Sequence, residues 1–368
     1  VKKIDSKQFL SLLKLMIIIN LIFVILNATH YTGLNSVSFK GLIEKIQEGL
    51  LNPYQQYQTK FDMKIFGGKL LTYSSTLFAP VLWSTLPLSL LYFRKLNLLF
   101  KFLTIFSVLI EAVRWIGTGT NKGLFDIMIV FSVILLIKRM RQKYTNYESY
   151  SNQKRGEKSF IWVAFLGIAC VIYFSQNIGT RLNGNWNSLA MIAGGVPLKL
   201  DSFLINVCPP FLKPTVVYLT FYLTQGYYGL SMALPLRWTP MFGIGNSMFL
   251  ISKLSSIFGV DLSQYTYQAK LQAYGWDPLV NWHSIYVWLA NDIHFIGVIP
   301  FMFVLGYFFA EITKDAVIYK QRLASIILCL LFIMFFYFPA NNQLSAYPST
   351  FMAFWILTIM WIFQKVLL

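Results

Sequence analysis

Long apolar runs separated by short polar segments recur from one end of the chain to the other. Most runs have roughly 17–25 residues, and a helix of that length crosses a bilayer core of about 30 Å. No alternation of apolar and polar residues is sustained, which disfavours a membrane β-barrel. We therefore predict an all-α, polytopic transmembrane helical bundle of about ten spans, at about 9–28, 70–93, 96–116, 124–137, 159–175, 214–236, 240–258, 285–309, 323–338 and 349–364.

The composition agrees with a lipid environment. Hydrophobic residues make up 56% of the chain and charged residues 12%, whereas soluble proteins have about 25% charged residues. The net charge of +17 lies mainly at the ends of apolar runs, so it indicates membrane orientation and not a nucleic-acid partner. The three cysteines (Cys170, Cys208 and Cys329) lack CxxC spacing, and two of them lie in apolar runs, so we expect neither a disulfide framework nor a zinc site.

The basic residues assign the two sides of the bundle. Those that flank one set of span ends are Lys2, Lys3, Lys7, Arg94, Lys95, the stretch at about 138–158, Lys314, Lys320, Arg322 and Lys365. By the positive-inside rule this side is cytoplasmic. The opposite side then carries three long outer loops, at about 29–69, 176–213 and 260–284. Proline and glycine residues interrupt the segment 214–258. The pattern predicts either two spans or a broken, re-entrant pair of helices.

Two outer loops have distinctive patterns. The segment Phe39 to Leu51 places Lys40, Glu44, Lys45 and Glu48 on one side, so we predict an amphipathic helix along the membrane surface. The loop at 260–284 is dense in aromatic and amide residues, and long loops of this kind often carry function.

A pair of charges lies near the outer end of the third predicted span. Glu111 and Arg114 are one helical turn apart, so they could form a structural ion pair, or Glu111 could orient Arg114 towards an anionic ligand. The turn Gly117–Gly123 follows and contains Lys122. A glycine-rich turn before a helix can bind phosphate, although a plain tight turn explains the same pattern.

Two further arginines are candidate phosphate ligands. Arg181 lies just past the fifth predicted span, where a lipid-headgroup anchor is the simpler reading. Arg237 follows Pro235 in the interrupted region and has no carboxylate nearby in sequence. Arginine suits a diphosphate because its planar fork bonds two oxygens and stays charged when desolvated.

His283 is the candidate base among the three histidines. His30 begins an outer loop, and His294 lies inside the eighth predicted span, where a core hydrogen bond suffices. His283 lies in the aromatic outer loop at the mouth of that span, and a neutral imidazole can take a proton from a sugar hydroxyl. Asp292 is the competing base, since desolvation raises carboxyl pKa values; it could instead hold a neighbour in place.

Several short motifs resemble the bacterial O-antigen and capsular polysaccharide polymerases, the oligosaccharide repeat-unit polymerases. They extend from about residue 50 to 310 and are Asn52-Pro-Tyr-Gln-Gln-Tyr57, Gly119-Thr-Asn-Lys-Gly-Leu-Phe-Asp126, Leu223-Thr-Gln-Gly-Tyr-Tyr-Gly-Leu-Ser231, Phe242-Gly-Ile-Gly-Asn-Ser247, Gly275-Trp-Asp277, Trp282-His-Ser284 and Trp288-Leu-Ala-Asn-Asp292.

The resemblance implies a GT-C-like, metal-independent glycosyltransferase acting on the outer face of the bacterial cytoplasmic membrane. Donor and acceptor would be oligosaccharides linked to undecaprenyl pyrophosphate, and a flippase and a chain-length regulator of the same pathway are further candidate partners. Charge on the leaving diphosphate would be met by basic residues, namely Arg114, Lys122, Arg181 and Arg237. Sugar contacts would come from Trp276, Asp277, Trp282 and Tyr227.

Two rival classes fit the pattern less well. A membrane O-acyltransferase of surface glycans also uses an intramembrane histidine, but its acyl donor usually arrives from the cytosol. A lipid-linked glycan flippase should show pseudo-symmetric halves and a basic cavity open to both sides, and the sequence indicates neither.

Overall fold

In a computed structural model, the protein is described for residues 6–33, 38–66, 68–145, 153–181, 199, 201–278 and 280–367. All regular secondary structure in these ranges is helical, which confirms the all-α prediction at this level. The chain divides into two units. Unit 1 comprises Val1–Arg181, Glu311–Phe332 and Met352–Leu368, and unit 2 comprises Leu182–Ala310 and Ile333–Phe351.

Eight helices lie in the described residues up to Arg181. They are α1 (Ser6–Thr32), α2 (Phe39–Leu51), α3 (Pro53–Phe66), α4 (Lys69–Leu77), α5 (Ala79–Leu91), α6 (Leu98–Gly117), α7 (Lys122–Thr145) and α8 (Gln153–Arg181). The helix α2 has the bounds that its amphipathic pattern predicted. Its start is capped by the Ser38 hydroxyl, which accepts a hydrogen bond from the Gly41 amide at 3.1 Å, as is typical of helix N-termini.

Eight more helices follow among the described residues after α8. They are α9 (Phe203–Val207), α10 (Lys213–Ala233), α11 (Met248–Phe258), α12 (Tyr267–Gln272), α13 (Ile285–Val317), α14 (Arg322–Phe336), α15 (Gln343–Ala346) and α16 (Pro348–Val366). A single-turn 3₁₀ helix, Phe93–Lys95, lies between α5 and α6.

Three of these helices are long and apolar enough to cross a membrane: Lys7–Thr32, Ile285–Val317 and Pro348–Val366. A fourth span results if α4 and α5 are counted together, although they are bent by 59°. Pro80, the second residue of α5, accounts for this break because proline has no N–H for the preceding turn. The membrane character of the chain thus stands, while the number of ten spans is a proposal taken up below.

The interrupted region 214–258 differs from two full spans. One helix, α10, ends at Ala233, and the next helix begins only at Met248. The residues between them form turns in which Phe242 and Gly243 have positive φ angles of 51° and 91°. The predicted span 240–258 is therefore helical only in its second half.

In unit 1, α1 packs against α5 and α6, and α2 packs against the end of α6. Leu13, Ile17 and Ile110 are almost completely buried in this layer. At Gly49 a Cβ atom would lie 2.1 Å from the carbonyl oxygen of Ile116, so the close approach of α2 to α6 requires glycine there.

Basic residues that the sequence assigned to one side come together at one end of unit 1. The Arg322 guanidinium lies 3.7 Å from the centre of the Phe9 ring and donates to the Tyr92 hydroxyl. The Arg141 guanidinium donates to the carbonyl oxygen of Ala316 and to the Ser325 hydroxyl. Their shared location agrees with a common side for these residues, and its cytoplasmic orientation stays a prediction.

In unit 2, two glycines on one face of α10 allow neighbouring segments to approach closely. A Cβ atom at Gly226 would lie 1.9 Å from the Pro339 carbonyl oxygen and 2.9 Å from the Ser284 amide nitrogen. A Cβ atom at Gly229 would lie 2.7 Å from the indole nitrogen of Trp276. These contacts pack α10 against the segment that leads into α13 and against the turn that follows α14.

The close approach at Gly226 predicts a strong effect of a single methyl group. We expect Gly226→Ala to lower the free energy of unfolding by about 1–3 kcal/mol, because the added atom meets backbone and not a flexible side chain. Gly306→Ala is the matched control, since that helical glycine of α13 has no atom within 4 Å of an added Cβ and alanine favours helix by about 1 kcal/mol. Thermal unfolding of both purified variants in detergent measures the difference, and equal effects would contradict this packing.

Candidate functional site

The carboxylate of Asp292 organises the irregular part of unit 2. One oxygen, Oδ1, accepts hydrogen bonds from the amides of Gly243 and Gly245, both at 2.8 Å. The other oxygen, Oδ2, accepts from the amide and the side-chain Nδ2 of Asn246, at 2.8 and 2.7 Å. Each hydrogen bond to a charged group contributes about 1.5–3 kcal/mol, so this set offsets the desolvation of a carboxylate in an apolar helix.

The backbone is unusual on both sides of this carboxylate. In the loop, Phe242 has a positive φ, and in α13 His294 has φ 59° and ψ 161°, which interrupts the helix. Such conformations cost on the order of 1–3 kcal/mol each. Because the Asp292 hydrogen bonds hold the loop against the interrupted helix, they compensate for this strain.

Asn291, the neighbouring residue, uses all the polar atoms of its side chain. Its Nδ2 donates to the Gly245 carbonyl and to Gln268 Oε1, at 2.8 and 2.9 Å, and its Oδ1 accepts from the Tyr267 amide at 2.8 Å. Its backbone carbonyl accepts from the Trp238 indole at 3.2 Å. Asn291 and Asp292 therefore join the loop, α12 and α13.

His283 lies in the segment just before α13 and is almost fully buried, with 3% of its surface exposed. Neither ring nitrogen has a hydrogen-bond partner among the described residues. The same holds for the hydroxyl of Ser284 and for Nε2 of Gln225. We call these three residues (Gln225, His283 and Ser284) the buried polar cluster.

Two hydrogen bonds bring the buried polar cluster together. The side-chain Oε1 of Gln225 accepts from the Trp282 amide at 3.1 Å, and the Ser284 amide donates to the Gly226 carbonyl at 3.4 Å. A buried polar group without a partner costs about 1–3 kcal/mol, and proteins rarely leave several together. The cluster is therefore the candidate site of unit 2.

Burial determines the charge of the histidine. Desolvation lowers the pKa of His283 to about 4, so the ring is neutral at pH 7 and has one nitrogen that accepts and one that donates. The same desolvation makes it a weaker base than an exposed histidine. A negative charge brought near the ring would raise its pKa again.

The predicted sugar-binding aromatics divide into two groups. Trp276 is 1% exposed, and its indole nitrogen donates to the Trp282 carbonyl at 3.3 Å, so its ring serves packing. Tyr227 is 42% exposed, with its ring 6.3 Å from that of Tyr286, and the half-buried Trp282 ring lies 5.5 Å from Tyr222. The last four rings present accessible surface.

Asp277 was predicted as a sugar contact, and its backbone carbonyl stabilises a turn. Its carbonyl oxygen accepts hydrogen bonds from the amides of Val280 and Asn281, at 3.1 and 2.7 Å. These bonds close the turn that leads to Trp282 and His283. The side chain is half-buried.

Arg237 is the phosphate candidate in unit 2. It is exposed, and its guanidinium has no hydrogen bond or carboxylate partner among the described residues. Its carbonyl oxygen accepts from Lys270 Nζ at 2.9 Å, and Lys270 also donates to the Thr239 hydroxyl at 2.9 Å. Two cations are thus held close together beside the loop that Asp292 binds.

The phosphate candidates of unit 1 have internal partners. The Arg114 guanidinium forms two hydrogen bonds with the Glu111 carboxylate, which also accepts from the Trp115 indole at 2.8 Å. Lys122 Nζ lies 2.5 Å from an oxygen of Asp126. The ion pair of Glu111 and Arg114 is therefore formed, as both of the roles considered for it require.

The remaining phosphate-binding candidates predicted from the sequence are the glycine-rich turn Gly117–Gly123 and Arg181. Asn177 of α8 closes the turn by donating to the Gly119 carbonyl at 2.9 Å and to Asn121 Oδ1 at 3.1 Å. Arg181 ends α8, and its side chain lies outside the described residues, as do residues 182–198 and 200 of the loop at 176–213.

Sequence reasoning missed the amides on which the site depends. Gln225, Asn246, Gln268 and Asn291 were part of motifs or of an amide-rich loop, and no role was assigned to them individually. For Gln225 and Asn291 the available signal was their position, since an amide in an apolar helix is costly to bury unless it is hydrogen-bonded.

Comparison of the chain with protein-family models, curated proteins and solved structures found no match.

The buried histidine predicts a pH dependence of stability. An unfolded His283 titrates near 6.5 and the folded one near 4, so between these values the unfolded state binds more protons. The free energy of unfolding should therefore fall as the pH drops from about 6.5 towards 4, by up to about 3 kcal/mol. His283→Gln should remove this part of the pH dependence, and His30→Gln should retain it. Unfolding in detergent at several pH values measures this pH dependence. Identical curves of unfolding free energy against pH for wild type and His283→Gln would contradict a neutral, buried ring.

Proposed function

We propose that the protein is a glycosyltransferase that polymerises undecaprenyl-pyrophosphate-linked oligosaccharide repeat units into surface polysaccharide. In this proposal it is a multi-pass protein of the bacterial cytoplasmic membrane with about ten spans. Its active site faces the periplasm or the cell exterior, and it needs no metal or cofactor. Fold alone does not define such a function, so the proposal depends on the site.

The observation that carries the proposal is the buried polar cluster beside accessible aromatic rings. Gln225, His283 and Ser284 have unused hydrogen-bonding atoms, which match the hydroxyl groups of a sugar. Tyr227 and Trp282 offer flat apolar faces of the kind on which sugar rings stack. Amide, hydroxyl and imidazole groups next to aromatic surface suit a neutral carbohydrate better than an ion or a purely apolar molecule.

In the proposed reaction, a hydroxyl of the acceptor sugar donates its hydrogen to the free nitrogen of His283. The hydroxyl oxygen attacks the anomeric carbon of the donor, the bond from that carbon to the diphosphate breaks, and the proton moves to the imidazole. Because the ring is neutral beforehand, it can take this proton. The negative diphosphate of the donor would raise the His283 pKa and strengthen the base.

Asp292 would act through the loop and not on the substrate. Both of its oxygens accept hydrogen bonds, so serving as a base would disrupt the loop at 242–246. The proposal therefore assigns proton transfer to His283 and positioning to Asp292.

Among the cations, Arg237 is the first candidate for the leaving diphosphate, because its guanidinium is exposed and lacks a described carboxylate partner. Arg114 and Lys122 rank behind it, since each is paired with a carboxylate. Arg181 remains a candidate from the sequence. Removing one charge-assisted bond to the diphosphate should cost about 1.5–3 kcal/mol, which is roughly ten- to a hundredfold in rate.

The test is deletion of the gene from the native organism, followed by electrophoresis of the surface glycan. We expect the ladder of long chains to collapse to single repeat units, and the wild-type gene to restore it. His283→Gln should not restore it, since loss of a positioned base lowers the rate by about 10²–10⁴. Gln272→Ala, an exposed residue of the same loop, is the matched control and should restore the ladder.

Other outcomes of this experiment contradict the proposal. An intact ladder that has lost ester-linked acyl groups would indicate an O-acyltransferase. Intracellular accumulation of lipid-linked repeat units, with none at the outer face, would indicate a flippase. Full restoration by His283→Gln would remove the base role of that residue.

A further inference from the structure

Unit 1 contains a groove that takes no part in the proposed reaction. It lies between α5, α6 and α7 and has a volume of about 320 Å³. Its walls are apolar, with Leu90 from α5, Ile105 and Leu109 from α6 and Phe131 from α7 among the lining residues. The hydroxyl of Thr104, which also lines it, is already bonded to the Phe100 carbonyl at 2.8 Å.

The lining of the groove follows one face of α7. The helix α7 contributes Phe131, Ile134, Leu135 and Lys138 to it, at positions that share one helical face. Seven residues of helix span about 10 Å. An apolar slot with a lining about 10 Å long suits part of a hydrocarbon chain better than a polar solute.

One end of the groove is positively charged. Lys138 lines it and donates through Nζ to the Leu90 carbonyl at 2.6 Å, and the charges of Arg94 and Arg141 act on this lysine. Arg94 is exposed and directly follows Phe93, another lining residue. In the part of the chain that the structure describes, no carboxylate forms an ion pair with Arg94 or Lys138.

We propose that this groove binds an anionic phospholipid, with one acyl chain in the slot and the headgroup phosphate against Arg94 and Lys138. Two N–H donors of the lysine remain after its bond to Leu90, and the arginine fork bonds phosphate oxygens in pairs. These basic residues are on the predicted cytoplasmic side, where anionic lipids attract cations near the membrane surface. The charge at one end and the apolar slot leading from it match the two parts of that lipid.

The test compares binding of phosphatidylglycerol and phosphatidylcholine to the delipidated full-length protein by native mass spectrometry. Wild type should bind phosphatidylglycerol more tightly. Arg94→Gln should weaken phosphatidylglycerol binding about fivefold and leave phosphatidylcholine unchanged. Leu109→Trp, which fills the slot, should weaken binding of both lipids.

Matched controls separate these effects from general damage. Leu99→Trp adds the same bulk on α6 at a residue that is 57% exposed and does not line the groove. Lys40→Gln removes one positive charge from α2, where its side chain is 88% exposed. Both should bind lipid as wild type does, and Ile105→Phe replaces Leu109→Trp if that variant does not fold.

Three results would overturn the proposal. Equal binding of the two lipids by wild type would show that the groove does not select an anionic headgroup. Unchanged binding by the slot-filling variants would place the lipid elsewhere. Displacement of phosphatidylglycerol by a polyprenyl phosphate at lower concentration would identify a different occupant.

Discussion

The organisation of unit 2 depends on the need of one carboxylate, that of Asp292, for hydrogen-bond donors inside an apolar helix. A charge in such a place is costly, and the loop between α10 and α11 meets the need by directing the backbone amides of Gly243, Gly245 and Asn246 towards it. The interruption of α13 at His294 and the strained Phe242 follow from the same contact. Asn291 extends it to α12, so loop, helix and outer segment are held as one assembly.

The buried polar cluster presents the opposite situation. Around Asp292 each hydrogen-bonding atom of the carboxylate has a partner, whereas Gln225, His283 and Ser284 are buried with atoms that have none. Saturated polar groups stabilise a fold, and unsaturated ones reduce stability unless a ligand satisfies them. This contrast is the physical basis for assigning positioning to Asp292 and chemistry to His283.

Features that depend on residues close together in the chain were predicted from the sequence. Helical apolar runs, the amphipathic helix Phe39–Leu51 and the ion pair of Glu111 and Arg114 all follow from residues a few positions apart. The sequence did not predict the half-length helix at Met248–Phe258, because that depends on Asp292, about 45 residues away in the chain. The burial of Trp276 was missed for the same reason, since Gly229 on another helix creates the space for its ring. For His283 the sequence indicated the residue, and only the fold revealed its burial.

Amide hydrogen exchange in Asp292→Asn tests the central claim most directly. The substitution keeps one acceptor oxygen but turns an N–H group towards amides that also donate, so exchange at Gly243, Gly245 and Asn246 should become about ten- to a hundredfold faster. Asp261→Asn alters an exposed carboxylate that, among the described residues, accepts hydrogen bonds from Ser263 alone, so it should leave these amides protected. Unchanged exchange in Asp292→Asn would contradict the account, because the loop would then hold its shape without the carboxylate.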